Sequence, residues 1–366
     1  MKLHSDFRSD KMGKKNCIWL GLLASVVIIT GVYFFFLKHA GIMKHREGPN
    51  EKTRFNITVS PNGDGDFRTI SEAIQAAPSR SSAPFFIRVF SGVYNEIVAV
   101  PQDKVNLVLV GDGAEVTRVT ASRSEPQYPT SDTATFAIFG DGFMAQGITF
   151  ENTASSDSNP AVALLCSANY TIFYQCRFLG YHDTLYAKQG LQFYRECDIY
   201  GTVDFIFGFA SAVFQNCNLY ARMSSYQKVT YTAQGRSSPG MQSGFTLQGC
   251  KVTVSPEVGQ ARFSITGFLG RPWFAYSTVM IMESFLDSTV DPVGWEEWPD
   301  SPVSHVTYLE YRNWGPGADT SHRVRWPGYK VVGDESGAVA YTASRMIRGD
   351  EWIPQTGVPY NSGFLS

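Results

Sequence analysis

Two aspartates occupy the same position in consecutive copies of an internal repeat. Cys176-Arg177-Phe178-Leu179-Gly180-Tyr181-His182-Asp183 aligns with Cys197-Asp198-Ile199-Tyr200-Gly201-Thr202-Val203-Asp204, each Asp seven residues after its Cys and the copies 21 residues apart. If each copy is one coil of a solenoid, the carboxylates lie about one strand spacing (~4.8 Å) apart. Carboxylates held that close cannot both ionise easily, so their pKa values separate. That separation supplies one acid and one base or nucleophile at a single pH. The spacing also fits two solvated turn aspartates, which repeats often carry. Spacing by itself does not choose between the two.

The elements that must position this pair are legible in the same repeat. Cys176, Cys197, Cys217 and Cys250 each follow an aromatic or Leu by three residues (Phe173, Tyr194, Phe214, Leu247) and precede an apolar residue by two (Phe178, Ile199, Leu219, Val252). Alternation of this kind predicts strands, with Gly180, Gly201 and Ala221 at the following bend. Short strands and turns repeating every 20 or so residues predict an all-β parallel β-helix. The leucine-rich repeat is the rival, but its Leu-x-Leu-x-x-Asn pattern is absent. The four cysteines read as an inward ladder of thiols, with one disulfide between adjacent coils left open. No CxxC pair or nearby His completes a metal set, so no metal is expected. Near the start of the solenoid, Thr69 to Ala77 has helical apolar spacing, with Thr69 and Glu72 placed as a capping box and Pro78 as the stop. Such a helix would cap the first open coil, whose sheet edge would otherwise be exposed.

The chain has 366 residues, 43% of them apolar, and a formal charge of -2, so no basic excess suggests nucleic acid as a partner. Residues 17–37 form an uncharged run of 21 residues, long enough to cross a bilayer as a helix. Lys2, Arg8, Lys11, Lys14 and Lys15 precede it, which keeps residues 1–16 cytoplasmic. Phe34-Phe35-Phe36-Leu37 is too bulky for a cleavage site, which favours an uncleaved signal anchor. Residues 38–52 read as a polar tether and 53–366 as one domain, delivered through the secretory pathway. Asn56-Ile57-Thr58 and Asn169-Tyr170-Thr171 are glycosylation sequons; the second is expected inside a strand, a poor place for a glycan.

Several stretches together resemble the plant-type pectin methylesterases (pectinesterases, carbohydrate esterase family 8). They are Asp64-Gly65-Asp66-Phe67-Arg68-Thr69-Ile70, Gly92-Val93-Tyr94-Asn95-Glu96, Gly180-Tyr181-His182-Asp183-Thr184-Leu185-Tyr186, Gly201-Thr202-Val203-Asp204-Phe205-Ile206-Phe207-Gly208, Leu269-Gly270-Arg271-Pro272-Trp273 and Gly294-Trp295-Glu296-Glu297-Trp298. They occur in family order over nearly the whole of 53–366. The resemblance implies a right-handed parallel β-helix acting as a monomer without cofactor on methyl-esterified homogalacturonan in the cell wall. It also implies proteinaceous pectinesterase inhibitors as partners. By that resemblance Asp204 is the nucleophile, Asp183 the proton donor and acceptor, and Arg271 the group that holds Asp204 and lowers its pKa. Trp273, Trp298, Tyr186 and Phe207 match the substrate-lining aromatics, and Thr130 aligns with a substrate-contacting threonine.

The chain departs from the family at two positions near the reacting carbonyl, where the family has glutamines and this sequence has Pro160 and His182. Proline has no side-chain donor and no backbone N–H, so it cannot stabilise an oxyanion. His182 could donate through a ring nitrogen as a transition-state stabiliser, or it could merely fill the glutamine's space. A weakly active or inactive pectin-binding homologue at the cell surface therefore stands beside the esterase. A β-helix lyase or hydrolase fits less well, because neither needs this Asp, Asp and Arg set.

Overall fold

Each copy of the repeat is one coil of a parallel β-helix. The computed structural model describes residues 55–157, 159–223, 225 and 227–365. The expected cytoplasmic segment 1–16, anchor 17–37 and tether 38–52 lie outside the described residues. Among the described residues no helix is long and apolar enough to cross a membrane.

Three parallel sheets carry the coils. An eleven-stranded sheet runs from Ile57–Val59 to Tyr329–Val331, an eight-stranded sheet from Gly92–Asn95 to Phe285–Leu286, and a six-stranded sheet from Val98–Val100 to Thr232–Gln234. The 21-residue repeat is the register itself, since Arg177 pairs with Asp198 and Leu185 with Ile206. The residue before each repeat Cys turns the corner between the first two sheets in the left-handed region: Gln175, Glu196 and Asn216 have φ of 52°, 53° and 53°, and Gly249 has φ 63°. The cysteine after that corner points inward and is fully covered. Its thiol donates to a carbonyl one coil back, as Cys197 does to Phe173 at 3.3 Å and Cys250 to Phe214 at 3.3 Å. All five described cysteines are free, so the ladder is one of thiols. Burial pushes the Cys166 and Cys176 thiols up to about 12.

The aromatics three residues before the cysteines stack inside the coil. Phe173 lies on Tyr194 at 5.0 Å and Tyr194 on Phe214 at 4.5 Å, both pairs within 12° of parallel. Offset stacking of this kind adds ~0.5–1.5 kcal/mol per pair to the area buried. The helix Ile70–Ala76 closes the first coil, with its capping box formed reciprocally between Thr69 and Glu72 and with Ile70, Ala73 and Ile74 buried in the same core.

The coil does not continue to residue 366. After Tyr329–Val331 the chain forms short helices and wraps the outside of the eleven-stranded sheet, where Ala343, Ile347, Trp352 and Ile353 cover Val108, Met144, Ile172, Phe193 and Val213. Both faces of those strands are apolar for that reason, which hides their period-2 alternation. Asn169 is corrected in the same way: it sits in the bend between Leu164–Ser167 and Thr171–Tyr174, not in a strand. There its Oδ1 accepts from the Leu191 N–H at 3.3 Å; Asn56 is exposed, and its Oδ1 accepts from the Phe86 N–H at 2.7 Å.

Candidate active site

Asp183 and Asp204 occupy equivalent corners between the eight- and six-stranded sheets. Both adopt left-handed backbone, φ 62° and 50°, a conformation Asp tolerates better than bulky residues do. The corners stack through the backbone, with Asp183 N–H donating to Val203 O at 3.0 Å and Thr202 N–H to Tyr181 O at 2.9 Å. Gly201 permits the turn, because a Cβ there would lie 2.2 Å from the Phe205 Cβ. Both carboxyls are nearly covered, at 8% and 4% exposure, yet both line an open cleft of about 580 Å³ on the outer face of the six-stranded sheet.

Arg271 enters from a later coil and grips Asp204 with two hydrogen bonds, Nε to Oδ1 at 2.8 Å and Nη2 to Oδ2 at 2.6 Å. Its own position is fixed by its N–H donating to Thr232 O at 3.0 Å. Trp298 stacks on the guanidinium at 4.2 Å. A planar guanidinium between a carboxylate and an indole is held more rigidly than a lysine could be.

The two carboxyls therefore differ in state. Burial pushes Asp183 well above the ordinary carboxylate range, and the neighbouring Asp204 charge pushes it further, with Arg271 opposing only in part. Burial raises Asp204 too, but the Arg271 hydrogen bonds and charge oppose that rise directly. Arg271 lowers Asp204 as expected, through its hydrogen bonds and its charge, but desolvation outweighs the guanidinium and leaves the carboxyl raised; what Arg271 secures is the order, Asp204 ionising before Asp183.

His182 lies with a ring nitrogen 3.4 Å from Asp183 Oδ1 and lines the same cleft. Burial lowers its pKa and the Arg271 charge adds to that, against the pull of Asp204 and Glu125. Burial thus favours the neutral imidazole, which keeps one ring N–H as a donor. Pro160 lines the cleft with no N–H to offer, its carbonyl accepting from the Glu125 N–H at 3.1 Å, and among the described residues no glutamine lines it. One ligand atom each of His182, Asp183 and Asp204 lies within 4.8 Å of the others. A cation there would meet the Arg271 guanidinium already holding both Asp204 oxygens.

The expected aromatics converge on the cleft. Tyr186 and Phe207, register partners on adjacent strands, stack at 4.2 Å, and Trp273 tilts over Phe207 at 5.9 Å. Phe209 and Phe274 extend this wall against Trp273 at 4.7 and 5.4 Å, and neither was expected from the sequence. Thr130 does line the cleft, but its hydroxyl donates to the Glu125 carboxylate, which leaves it as an acceptor toward any ligand. Glu125 and Glu296, which bear on Asp183 and Asp204 respectively, carried no sequence signal for that role.

A family model described as Pectinesterase matches residues 56–350. The chain belongs to the pectinesterase family. Among similar proteins, "Probable pectinesterase/pectinesterase inhibitor 7" of Arabidopsis thaliana is 44% identical over 316 residues, covering 85% of this chain and 54% of that protein. "Pectinesterase 2" of Citrus sinensis is 43% identical over 312 residues, covering 85% and 61%. The chain thus spans little more than half the length of these pectinesterase relatives. The solved pectin methylesterase from carrot superposes with a TM-score of 0.83 at 39% identity, covering 85% of this chain and 99% of that one. The pectinesterase fold and the parallel β-helix described above are therefore the same architecture.

Proposed function

We propose that this pectinesterase-family chain hydrolyses the methyl esters of homogalacturonan, releasing methanol and leaving free galacturonate carboxyls. The observation that carries this reading is the two-point grip of Arg271 on Asp204 beside a more protonated Asp183, at the floor of an aromatic cleft. Flat rings suit the apolar faces of sugars while leaving their hydroxyls solvated. In this reading the Asp204 carboxylate attacks the C6 ester carbonyl and the C–O bond to the methoxy group breaks. Asp183 gives its proton to the departing methoxide, which leaves as methanol. Water then attacks the Asp204 acyl group and surrenders a proton to the Asp183 carboxylate, which restores both residues. His182 lines the cleft beside this pair at the position of the family's glutamine and offers a ring N–H, and Pro160 contributes no donor. No metal or cofactor enters these steps.

A second reading rests on those two residues. A cleft without its amide donors can hold pectin at the cell surface while turning it over slowly. The uncharged run at 17–37 supports an anchored, lumenal or extracellular placement, with the inhibitor proteins of the cell wall as partners. Methanol release from methyl-esterified pectin by the full chain in detergent tests the esterase reading. Retained pectin binding with no methanol from the wild-type protein would establish the surface binder instead.

A further inference from the structure

Trp314 is the one exposed tryptophan among the described residues, at 61% exposure, and it lies outside the cleft. The coils close a three-sided stack, and the cleft occupies the outer face of the six-stranded side. Trp314 sits at the corner opposite that side, where the eleven-stranded sheet bends into the eight-stranded one. Its backbone is fixed there at both ends. The Trp314 N–H donates to Ser284 O at 3.0 Å, and its carbonyl accepts from the Leu286 N–H at 2.8 Å. Gly315 lets the turn close on Phe285, since a Cβ there would lie 2.6 Å from Leu286 O and 2.8 Å from the Phe285 ring. The indole is then held edge-on to Phe285, ring centres 4.8 Å apart. It belongs to none of the buried clusters, so core packing does not account for it.

A free cation completes the row. Lys251 pairs in register with Phe285, and Phe285 with Trp314, so the three side chains follow one another on successive coils. At one strand spacing per coil the row is roughly 10 Å long. The Lys251 ammonium lies 6.0 Å from the Phe285 ring centre and among the described residues has no carboxylate partner. Glu283, the acidic neighbour, is already engaged: its carboxylate accepts from Gln248 Nε2 at 2.8 Å and from the Leu365 N–H at 3.1 Å. Together these residues line a cavity of about 410 Å³. An exposed indole beside a free ammonium suits a ring with apolar faces and an anionic rim. A uronic acid residue has both. A neutral hexose would leave the ammonium unused, and an acidic peptide would leave the rings unused.

We propose that Lys251, Phe285 and Trp314 form a second carbohydrate site, separate from the cleft, that takes a uronate-bearing polysaccharide strand. Trp314 stacks on a sugar ring and Lys251 pairs with a carboxylate of the same strand. The site uses none of the residues of the cleft, so it stands independently of the ester chemistry. Occupied, it holds the protein on a polyuronate while the cleft on the opposite side stays open.

The test is calorimetric titration of an unesterified oligogalacturonate into the full chain in detergent. Wild type, Trp314→Ala, Lys251→Gln and Trp273→Ala are compared, with melting temperature confirming that each is folded. Wild type is expected to show a binding component that Trp273→Ala keeps and Trp314→Ala loses. Lys251→Gln should weaken that component about tenfold, one charge-assisted contact's worth. Added salt should weaken it more in the wild type than in Lys251→Gln. A neutral galactan oligomer should not compete for it. Titrations of Trp314→Ala and Lys251→Gln that superpose on the wild type overturn the proposal, as does loss of all binding in Trp273→Ala. Competition by the neutral oligomer overturns the uronate assignment. A concentration-dependent dimer in sedimentation, lost in Trp314→Ala, would assign the row to a second copy of the chain and overturn the carbohydrate site.

Discussion

Asp183 sits directly beneath Asp204 in the stack, its N–H bonded at 3.0 Å to the carbonyl of the residue before Asp204, yet only Asp204 is held by a guanidinium. Two side chains of one type at one repeat position thereby receive different chemistry. Replacing Asp204 by Ala should cut methanol release by ~10⁴-fold or more, as removal of a nucleophile does elsewhere. Asp204→Ala that still releases methanol at a tenth of the wild-type rate would remove the nucleophile assignment.

The raised pKa of Asp183 has a stability consequence with a definite sign. A group that binds its proton more tightly when folded stabilises the fold fully below its unfolded value, about 3.9 for Asp. That stability is lost as pH rises through the higher folded value. Asp183→Asn removes the titration. It should match the wild-type melting temperature below pH 4 and exceed it increasingly toward neutral pH, by ~2–4 °C for each kcal/mol recovered. A constant offset across pH would mean that Asp183 does not titrate differently in the folded state.

His182→Gln should keep or raise methanol release, by up to about tenfold if the amide restores an oxyanion donor. Burial lowers His182, so its protonation falls below the ordinary imidazole value near 6.5. Any acid-side shoulder in the wild-type rate should therefore lie under pH 6.5 and vanish in His182→Gln. Stability linked to His182 is full above that value and declines as pH falls toward the folded pKa. A shoulder that persists in His182→Gln belongs to another group.

Trp298 stacks on the Arg271 guanidinium at 4.2 Å and lines the cleft beside it. Trp298→Ala should lower kcat by ~10-fold, the scale of a partly buried cation–π contact. Trp273 packs tilted against Phe207 and Phe209, so Trp273→Ala should act mainly on KM. The kcat and KM split between the two variants is the measurement, and identical splits would show that Trp298 does not act through Arg271.

The thiol ladder predicts silence. Cys197 and Cys217 are buried and free, so thiol reagents should not label them until the coil unfolds, and reductant should leave the melting temperature unchanged. Rapid labelling of the native protein would contradict the inward placement.

The repeat, the vertical pairing of Asp183 with Asp204, the inward cysteines and aromatics, and the helix cap at Thr69 were determined by local pattern. A solenoid turns sequence spacing directly into spatial register, so neighbours 21 residues apart become neighbours in space. Arg271 stands 67 residues beyond Asp204 and outside the repeat, so its partner followed from the sequence only through family resemblance. Two features were decided by the tertiary structure alone. The sign of the Asp204 shift came from burial outweighing a guanidinium, and no spacing encodes that balance. The wrapping of 335–365 over the eleven-stranded sheet depends on an outer apolar face that alternation cannot display once both faces are covered. Each arises where distant segments meet, and there the energy belongs to the assembled surface.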